Sequence, residues 1–415
     1  MSNGTRVCFA VAHAICLFSI AAGAQELTER EAVRRFIAQS PHHRDLRAGV
    51  AATRAETQTW SLRPNPRASY SHEGAGLTEI MQVEQPLFIS GRLGLMRQAG
   101  IAAVHVAESK SRYTLWEITS DLRLAFYRFV LEREREKSIR QSLNELQEAI
   151  RILRERETEG EGSAFDRLRA EREQTDLQAE LSSAQVNSVQ ARSQLASFLS
   201  LDATGSLSVQ GALQNHADLP PLPEVTALAL RARSDYQAEQ QQAEQWQLQK
   251  LAANRLRIPE PVFSAGVKRA SVARGTEYGP YIAISVPLPI FNRGQGEVAR
   301  FQALAEQTQA RSDVLKQRLE AEIAGAYATV KLRRQVAAEY LREMNSQGAQ
   351  LSQIAKLAYR EGEVGILELL DAFRTTRQAQ LRAVELNGAA KQAEIELERV
   401  VGEPLLTEEL REVWQ

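Results

Sequence analysis

Cysteine is almost missing from this chain. Its 415 residues hold two, Cys8 and Cys16, and both fall within the first 24. If that segment is removed, disulfides, thiolate metal sites and thiol catalysis are excluded together. Long apolar runs are missing too. After residue 24 no stretch approaches 18 apolar residues, which excludes a transmembrane helix but not a transmembrane β-strand, whose alternating pattern is much fainter. Neither sign of charge is in excess: 51 Lys and Arg stand against 52 Asp and Glu, so no bulk basic surface argues for nucleic acid. The four methionines, Met1 among them, form no cluster for soft metals.

The first 24 residues have the layout of a secretory leader. Arg6 is their only charge, residues 7–20 form an apolar core, and Ala22-Gly23-Ala24 supplies small residues for cleavage before Gln25. A membrane anchor would need about 20 apolar residues, more than this core supplies. Neither cysteine follows the small residue that a lipoprotein cleavage box requires. Cleavage leaves 391 residues and removes one positive charge, so 50 basic side chains face 52 acidic ones and the net charge becomes −2.

The remaining chain states one pattern twice. From Arg63 to Leu168 it reads RPNP, QPLFISGR, a long helical run and EGEGSAFDRL; from Ile258 to Leu370 it reads IPEP, VPLPIFNR, another long run and EGEVGILELL. The offset is 195 between Pro64 and Pro259, 201 between Pro86 and Pro287, and 202 between Gly160 and Gly362. Such a period is too long for a solenoid repeat and indicates a duplicated half-molecule. The expected organisation is a leader over 1–24, a first repeat over 25–201, a crossover over 202–222, a second repeat over 223–401 and a tail over 402–415. Crossover and tail are expected to wrap the middle of the molecule.

Each half opens with a predicted helix, over residues 27–62 and 224–256, and each helix stops at prolines. Pro64 and Pro66 in one copy, and Pro259 and Pro261 in the other, read as stiff exits into extended chain. Strand pairs follow at 67–72 with 78–88 and at 262–270 with 278–288, around turns at 73–76 and 274–276. Ile282, Ile284 and Val286 alternate with Tyr281, Ala283 and Ser285, as a strand with lipid on one side and a polar lumen on the other requires; the first-half strands alternate poorly. Four strands cannot close a barrel, so a membrane reading demands an oligomer. Pro86, Pro287 and Pro289 then mark the return to helix.

No proline occurs from Arg92 to Glu159, and the run over 294–361 is similarly long, each about 100 Å as a continuous helix. Ile139, Leu143, Leu146, Ile150 and Leu153 have coiled-coil seam spacing; Leu351, Ile354 and Leu357 share a face in the second copy. Both runs break at Glu-Gly-Glu and resume at Ala164 and Ile366, which reads as hairpin tips between antiparallel helices.

This series of landmarks, all duplicated, resembles the TolC family of outer-membrane efflux proteins across the whole chain after the leader. The segment VPLPIFNRGQGEV at 286–298 resembles the CzcC-like, heavy-metal cation branch, and QPLFISGR at 85–92 is similar to the equivalent first-half junction. The resemblance implies a mainly α fold with a small β part: a homotrimer whose 12 strands form one outer-membrane barrel and whose long helical hairpins form a periplasmic tunnel. It implies a passive exit duct, not an enzyme, without cofactor, docked on a periplasmic adaptor and driven by an inner-membrane pump, usually proton-driven. It further implies acidic residues closing the tunnel just beyond the second tip, here Glu368 and Asp371, where the family pattern has two aspartates.

Each singled-out feature has a plainer reading. Glu368 and Asp371 share a helix face and in a trimer would form carboxylate rings that attract cations; they would equally suit a helix N-terminus as stabilising acids. Gly160, Gly162, Gly362 and Gly365 end helices, and with Ser163 and Ile366 they are the candidate adaptor contacts. His42 and His43 point to different helix faces and read as solvated or capping, not as metal ligands. The charge run 132–137 reads as a wet helix face with local ion pairs. Rival functions are a type I secretion duct, a periplasmic adaptor with one hairpin between β-rich halves, and a coiled-coil scaffold, which has no use for proline-bounded strand pairs. Divalent cations are the expected cargo of the leading reading.

Overall fold

The computed structural model describes residues 27–73, 78–160, 162–202, 207–214, 216–272 and 274–414. The expected leader, most of the first hairpin turn and Glu161 of the first tip lie outside these residues. In chain order the elements are β1 (Leu27–Thr28), α1 (Glu29–Gln39), α2 (Pro41–Thr59), β2 (Arg67–Glu73), β3 (Thr78–Pro86), α3 (Arg92–Thr158) and α4 (Ala164–Phe198). They continue as β4 (Val209–Gln210), α5 (Leu222–Ala232), α6 (Ser234–Asn254), β5 (Val262–Val272), β6 (Gly275–Ser285), α7 (Gln295–Arg360), α8 (Ile366–Val401) and α9 (Glu408–Trp414). The order helix, helix, strand, strand, long helix, helix thus occurs twice.

The opening helix of each half is broken, contrary to the single helices expected from the sequence. Ser40 accepts a hydrogen bond from the His42 N–H and Pro41 takes the first helical position, so α1 ends and α2 begins at one capping pair. In the second half Arg233, at φ −62° and ψ 106°, separates α5 from α6. Its side chain is held by Asp235 at 2.8 Å and by the Val400 carbonyl at 3.0 Å, which fixes the break against α8.

The four longer strands form one antiparallel sheet in the order β2-β3-β5-β6. β5 and β6 have 11 residues each, against 7 and 9 in β2 and β3; the second copy's extra residues are in its strands. Adjacent partners stand on the same face of a sheet and neighbours along a strand on opposite faces. The registers line up Ala68, Val83, Ala265 and Ile282 in one row and Tyr70, Met81, Val267 and Pro280 in the next. Phe263 and Ile284 belong to this face, as do the more polar His72, Glu79, Arg269 and Tyr278 at its outer end. The other face carries Arg67, Ser69, Ser71, Gln82, Glu84, Ser264, Lys268 and Tyr281, with Ile80, Val262 and Val272 as its branched aliphatic members beside Pro86, Ala270 and Ala283. A side chain at Gly266 would meet the Met81 carbonyl at 2.0 Å, so only glycine lets β3 and β5 pair there.

Two helices of 67 and 66 residues, α3 and α7, span about 100 Å each and are the rails of the structure. α3 packs on α2 and α6 near the sheet and on α4 and α8 toward the tips; α7 packs on α6 and then on α8. No broad core forms. Instead three apolar clusters follow one another: one around Phe36, Leu122, Phe126 and Leu195, one around Leu319, Ile323, Val330 and Leu397, and one toward the tips around Leu146, Ile150, Leu177 and Leu370. Among the described residues no helix is long and apolar enough to cross a membrane.

Candidate functional site

Both tips are made the same way. α3 ends at Thr158 and α7 at Arg360, with Glu159 and Glu361 as their C-caps, and the next residues, Gly160 at φ 79° and Gly362 at φ 77°, take the left-handed turn that a side chain resists. Ser163 then caps α4 through the Phe165 N–H, whereas Gly365 precedes α8 with no side-chain cap. At that uncapped start the Glu368 carboxylate curls back, its Oε2 lying 3.0 Å from where a Gly365 side chain would sit. An acid there faces the positive end of the helix. Asp371 is one turn further, and both carboxylates are exposed. Ile366 is not: it is 5% exposed and belongs to the apolar cluster beneath the tip, so of the candidate contact residues it supports the tip from inside. The exposed apolar side chains are its neighbours, Phe165, Leu168 and Leu367.

The two carboxylates do not stand alone. Arg374, three residues beyond Asp371, clasps Glu173 of α4 with both Nε and Nη2, and Arg377 reaches Glu173 at 3.7 Å and Glu180 at 3.6 Å. The hydrogen bond from Arg374 holds the Glu173 carboxyl below its ordinary range. α8 is thereby tied to α4 by charge just above the exposed acids. A groove of about 340 Å³ between α3, α7 and α8 lies at the same level, floored by Ala149, Ile152, Leu369 and Phe373 and edged by Glu145, Glu148, Lys356 and Arg360.

Midway along the rails is a buried ionic belt that no sequence motif announced. Arg123 of α3 is 1% exposed; its Nε donates to Glu29 at 2.6 Å, and Nη2 donates to Glu398 at 2.5 Å and to Thr407 at 3.2 Å. Tyr127 donates to the other Glu29 oxygen at 2.6 Å. Glu398 uses its second oxygen to accept the backbone N–H groups of Leu405, Leu406 and Thr407. Burial pushes the Glu29 carboxyl up, but the Arg123 charge and the hydrogen bonds from Tyr127 and Arg123 outweigh it and leave the group below its usual value. Burial and the Glu29 charge push the Tyr127 hydroxyl up.

The belt gathers the irregular segments. Leu27–Thr28 pairs in parallel with Val209–Gln210, the Val209 carbonyl accepts from Arg133 at 2.8 Å, and Arg334 donates to the Ala217 carbonyl at 2.6 Å and to Glu394 at 2.6 Å. His216 meets the same carboxylate at 2.7 Å. In the tail, Trp414 stacks edge-on against Trp116 with ring centres 4.7 Å apart, and Glu412 pairs with Arg30 at 2.6 Å. The charge run 132–137 is therefore a wet face only in part, at Glu134 and Lys137. Glu132 is buried and Arg133 holds the crossover segment, although Lys137 and Glu134 do form the local pair expected, at 3.8 Å. His43 rests its Nδ1 on the Ile37 carbonyl at 2.6 Å, and among the described residues no group of three His, Cys, Asp or Glu is placed to hold a metal.

The prolines stand at one end of the sheet, where all four strands join the helices. Pro64 and Pro66 lie between α2 and β2, Pro86 closes β3, Pro259 and Pro261 precede β5, and Pro287 and Pro289 lie between β6 and α7. The Pro261 carbonyl accepts from the Leu87 N–H at 2.7 Å, binding the two copies together at this junction.

No family model matches the chain. It is 25% identical over 333 residues to the cobalt-zinc-cadmium resistance protein CzcC of Cupriavidus metallidurans, covering 78% of this chain and 77% of that one. Its fold is similar to that of CusC, with a TM-score of 0.73 over 97% of this chain and 99% of CusC at 17% identity. It is similar also to the outer membrane protein VceC of Vibrio cholerae, with a TM-score of 0.70 at 15% identity over 90% of this chain and 96% of VceC. With a four-stranded sheet standing on paired helical hairpins about 100 Å long, the chain is similar in fold to CusC and VceC and similar in sequence to CzcC.

Proposed function

We propose that three copies of this chain form the passive outer-membrane exit duct of a tripartite efflux system whose cargo is divalent metal cations. The observation that carries the reading is the sheet. It has an apolar face, a polar face and two unpaired edge strands, β2 and β6, and a four-stranded sheet of this kind is stable in lipid only when its edges are closed by further copies. Three copies supply 12 strands, with the apolar face toward lipid and the polar face toward a water-filled lumen. The helical part extends into the periplasm, where the tips at Gly160, Gly162, Ser163, Gly362 and Gly365 meet an adaptor that couples the duct to an inner-membrane pump, proton-driven in this reading. Likeness to CzcC supports cations as the cargo.

Glu368 and Asp371 are the proposed constriction. Both are exposed and belong to the copy whose tip lacks a side-chain cap; three chains would place six carboxylates about one axis, a ring that attracts cations. Conductance in planar bilayers tests this: the protein carrying Glu368→Ala with Asp371→Ala should open more readily and lose block by divalent cations. Unchanged block and unchanged opening overturn the ring. For the duct itself, heat-modifiable trimers are expected in outer-membrane fractions, and a soluble periplasmic monomer would end the reading. For cargo, cells lacking the chain should accumulate zinc, cobalt or cadmium; if they lose tolerance only to organic compounds, the cation assignment fails.

A further inference from the structure

The apolar face of the sheet is too short for a membrane by itself. Its rows run from Met81 and Pro280 to Phe263 and Ile284; above them stand His72, Glu79, Arg269 and Tyr278, whose charges hydrocarbon does not accept. From Pro280 to Ile284 is about 14 Å along the strand, or about 10 Å in height at a barrel tilt of about 40°. A transmembrane barrel carries an apolar band about 25 Å tall. The missing height has to come from the helix side of the strands, and there the chain is apolar in both copies. The Leu87 N–H still donates to the Pro261 carbonyl at 2.7 Å, so Leu87 continues the register onto the apolar face. The Leu87 carbonyl then accepts from the Ile89 N–H at 3.1 Å, and 201 residues later the Leu288 carbonyl accepts from the Ile290 N–H at 2.8 Å, the same three-residue turn twice. Leu87, Ile89, Leu288, Ile290 and Phe291 are all exposed there, Phe291 at 91%. From Pro280 to Ile290 the chain reaches at most about 34 Å, or about 26 Å in height at the same tilt. That is the band the sheet lacks.

Arginines crowd the same junction. Segments 60–66, 87–97, 255–261 and 286–297 hold Arg63, Arg92, Arg97, Arg255, Arg257 and Arg293 against two acids, Glu260 and Glu297, an excess of four positive charges per chain. Glu260 is turned to Ser90, whose hydroxyl donates to it at 2.8 Å. Among the described residues none of the six arginines has a carboxylate partner, whereas Arg269 in the outer row is paired with Glu79 at 2.9 Å. We propose that this junction is a binding surface for anionic phospholipid, with the apolar side chains of the two turns among the acyl chains and the unpaired guanidinium groups on the phosphates beneath them. A zwitterionic headgroup would leave the excess charge uncompensated. A second copy of the chain does not serve as the occupant, because β3 is an inner strand and its exit turn lies away from the edges at which further copies join. The inference rests on the outer-membrane reading above and adds the lipid class and the level of the membrane's helix-side boundary.

The test is quenching by lipid of single labelled cysteines, which the absence of cysteine after residue 16 makes clean. Full-length protein carrying Ile89→Cys or Phe291→Cys, labelled with an environment-sensitive fluorophore, is placed in nanodiscs of mixed phosphatidylglycerol and phosphatidylcholine. Spin-labelled acyl chains should quench both positions, as they quench the label at Ile282→Cys on β6, and should spare it at Phe165→Cys on the tip. Quenching at Ile282→Cys without quenching at 89 and 291 overturns the inference and leaves the membrane-spanning sheet standing; a blue shift at 89 and 291 without quenching does the same, because protein then covers them. No quenching at Ile282→Cys overturns the outer-membrane reading itself. For the headgroup, Arg92→Gln with Arg293→Gln removes no apolar side chain. It should keep the quenching at Phe291→Cys while lowering several-fold the enrichment of phosphatidylglycerol over phosphatidylcholine among the lipids that the protein retains, as read by native mass spectrometry. Enrichment that is absent from the parent protein, or unchanged in the variant, overturns the anionic assignment.

Discussion

α3 and α7 are nearly equal in length and each carries an apolar seam toward its tip, yet the two seams meet different fates. Ile139, Leu143, Leu146, Ile150 and Leu153 of α3 are buried against α4 and α8 within one chain. Leu351, Ile354 and Leu357 of α7 are 44%, 63% and 58% exposed. Seam spacing states that a helix has a partner, and it is silent on whether that partner belongs to the same chain. α3 is a structural spine, held by its own polypeptide along its length; α7 is an edge whose tip-ward seam its own chain leaves uncovered.

The largest effects should come from the spine. Arg123→Ala removes the cation that two buried carboxylates share, and stranding buried charge costs about 3–5 kcal/mol; denaturant unfolding of the solubilised protein should show the loss, with the tail more open to protease. Acid should undo the same belt. Glu29 and Glu394 are both held below their ordinary values, in each case because ion pairs and hydrogen bonds overcome burial. The unfolded chain, with carboxyls titrating near about 4.3, therefore takes up protons first as pH falls. The belt's stabilisation is whole above about pH 5 and is lost progressively below the unfolded value toward the folded ones; melting temperature against pH should show this drop, and Arg123→Ala should flatten it.

Leu146→Ala opens a cavity in the buried seam and should cost about 2–5 kcal/mol, read by the same unfolding measurement. At the tip, Gly362→Ala forces a side chain into a left-handed turn at φ 77° and should cost about 1 kcal/mol, visible as faster local amide exchange around residues 358–366. The smallest effect on the chain itself should follow Ile354→Ser, within about 0.5 kcal/mol because the site is exposed. The same substitution should loosen trimers on native gels, and Leu146→Ser should not do so at equal folded protein. If both variants reduced chain stability alike, the distinction between spine and edge would be lost.

Much of this was legible in residues alone. The two long helices end within a residue or two of the glycine tips, and the hairpins fall between the proline clusters, because glycine and proline act through local backbone sterics that need no distant partner. The breaks at Ser40 and Arg233 were not legible: the first depends on a cap that competes with an otherwise continuous helix, and the second on Asp235 and the Val400 carbonyl, a contact 167 residues away. The β2 and β3 pattern looked poor because His72, Glu79 and Gln85 stand on the apolar face. Only their cross-strand partners reveal the rows. The ionic belt was invisible for a similar reason, since Glu29, Arg123 and Glu398 are ordinary charged residues in amphipathic helices until the fold removes water from around them.

The sequence by itself determined the duplication, the length of the rails, the position of the tips and the alternation in the second hairpin, all of which follow from the preferences of neighbouring residues. Tertiary structure decided which seam is covered and which is bare, which charges become a buried clasp, and that the four strands share one sheet with two open edges. Those outcomes depend on contacts between residues hundreds of positions apart, and the energy of such contacts is set by the loss of solvent, which local sequence does not carry.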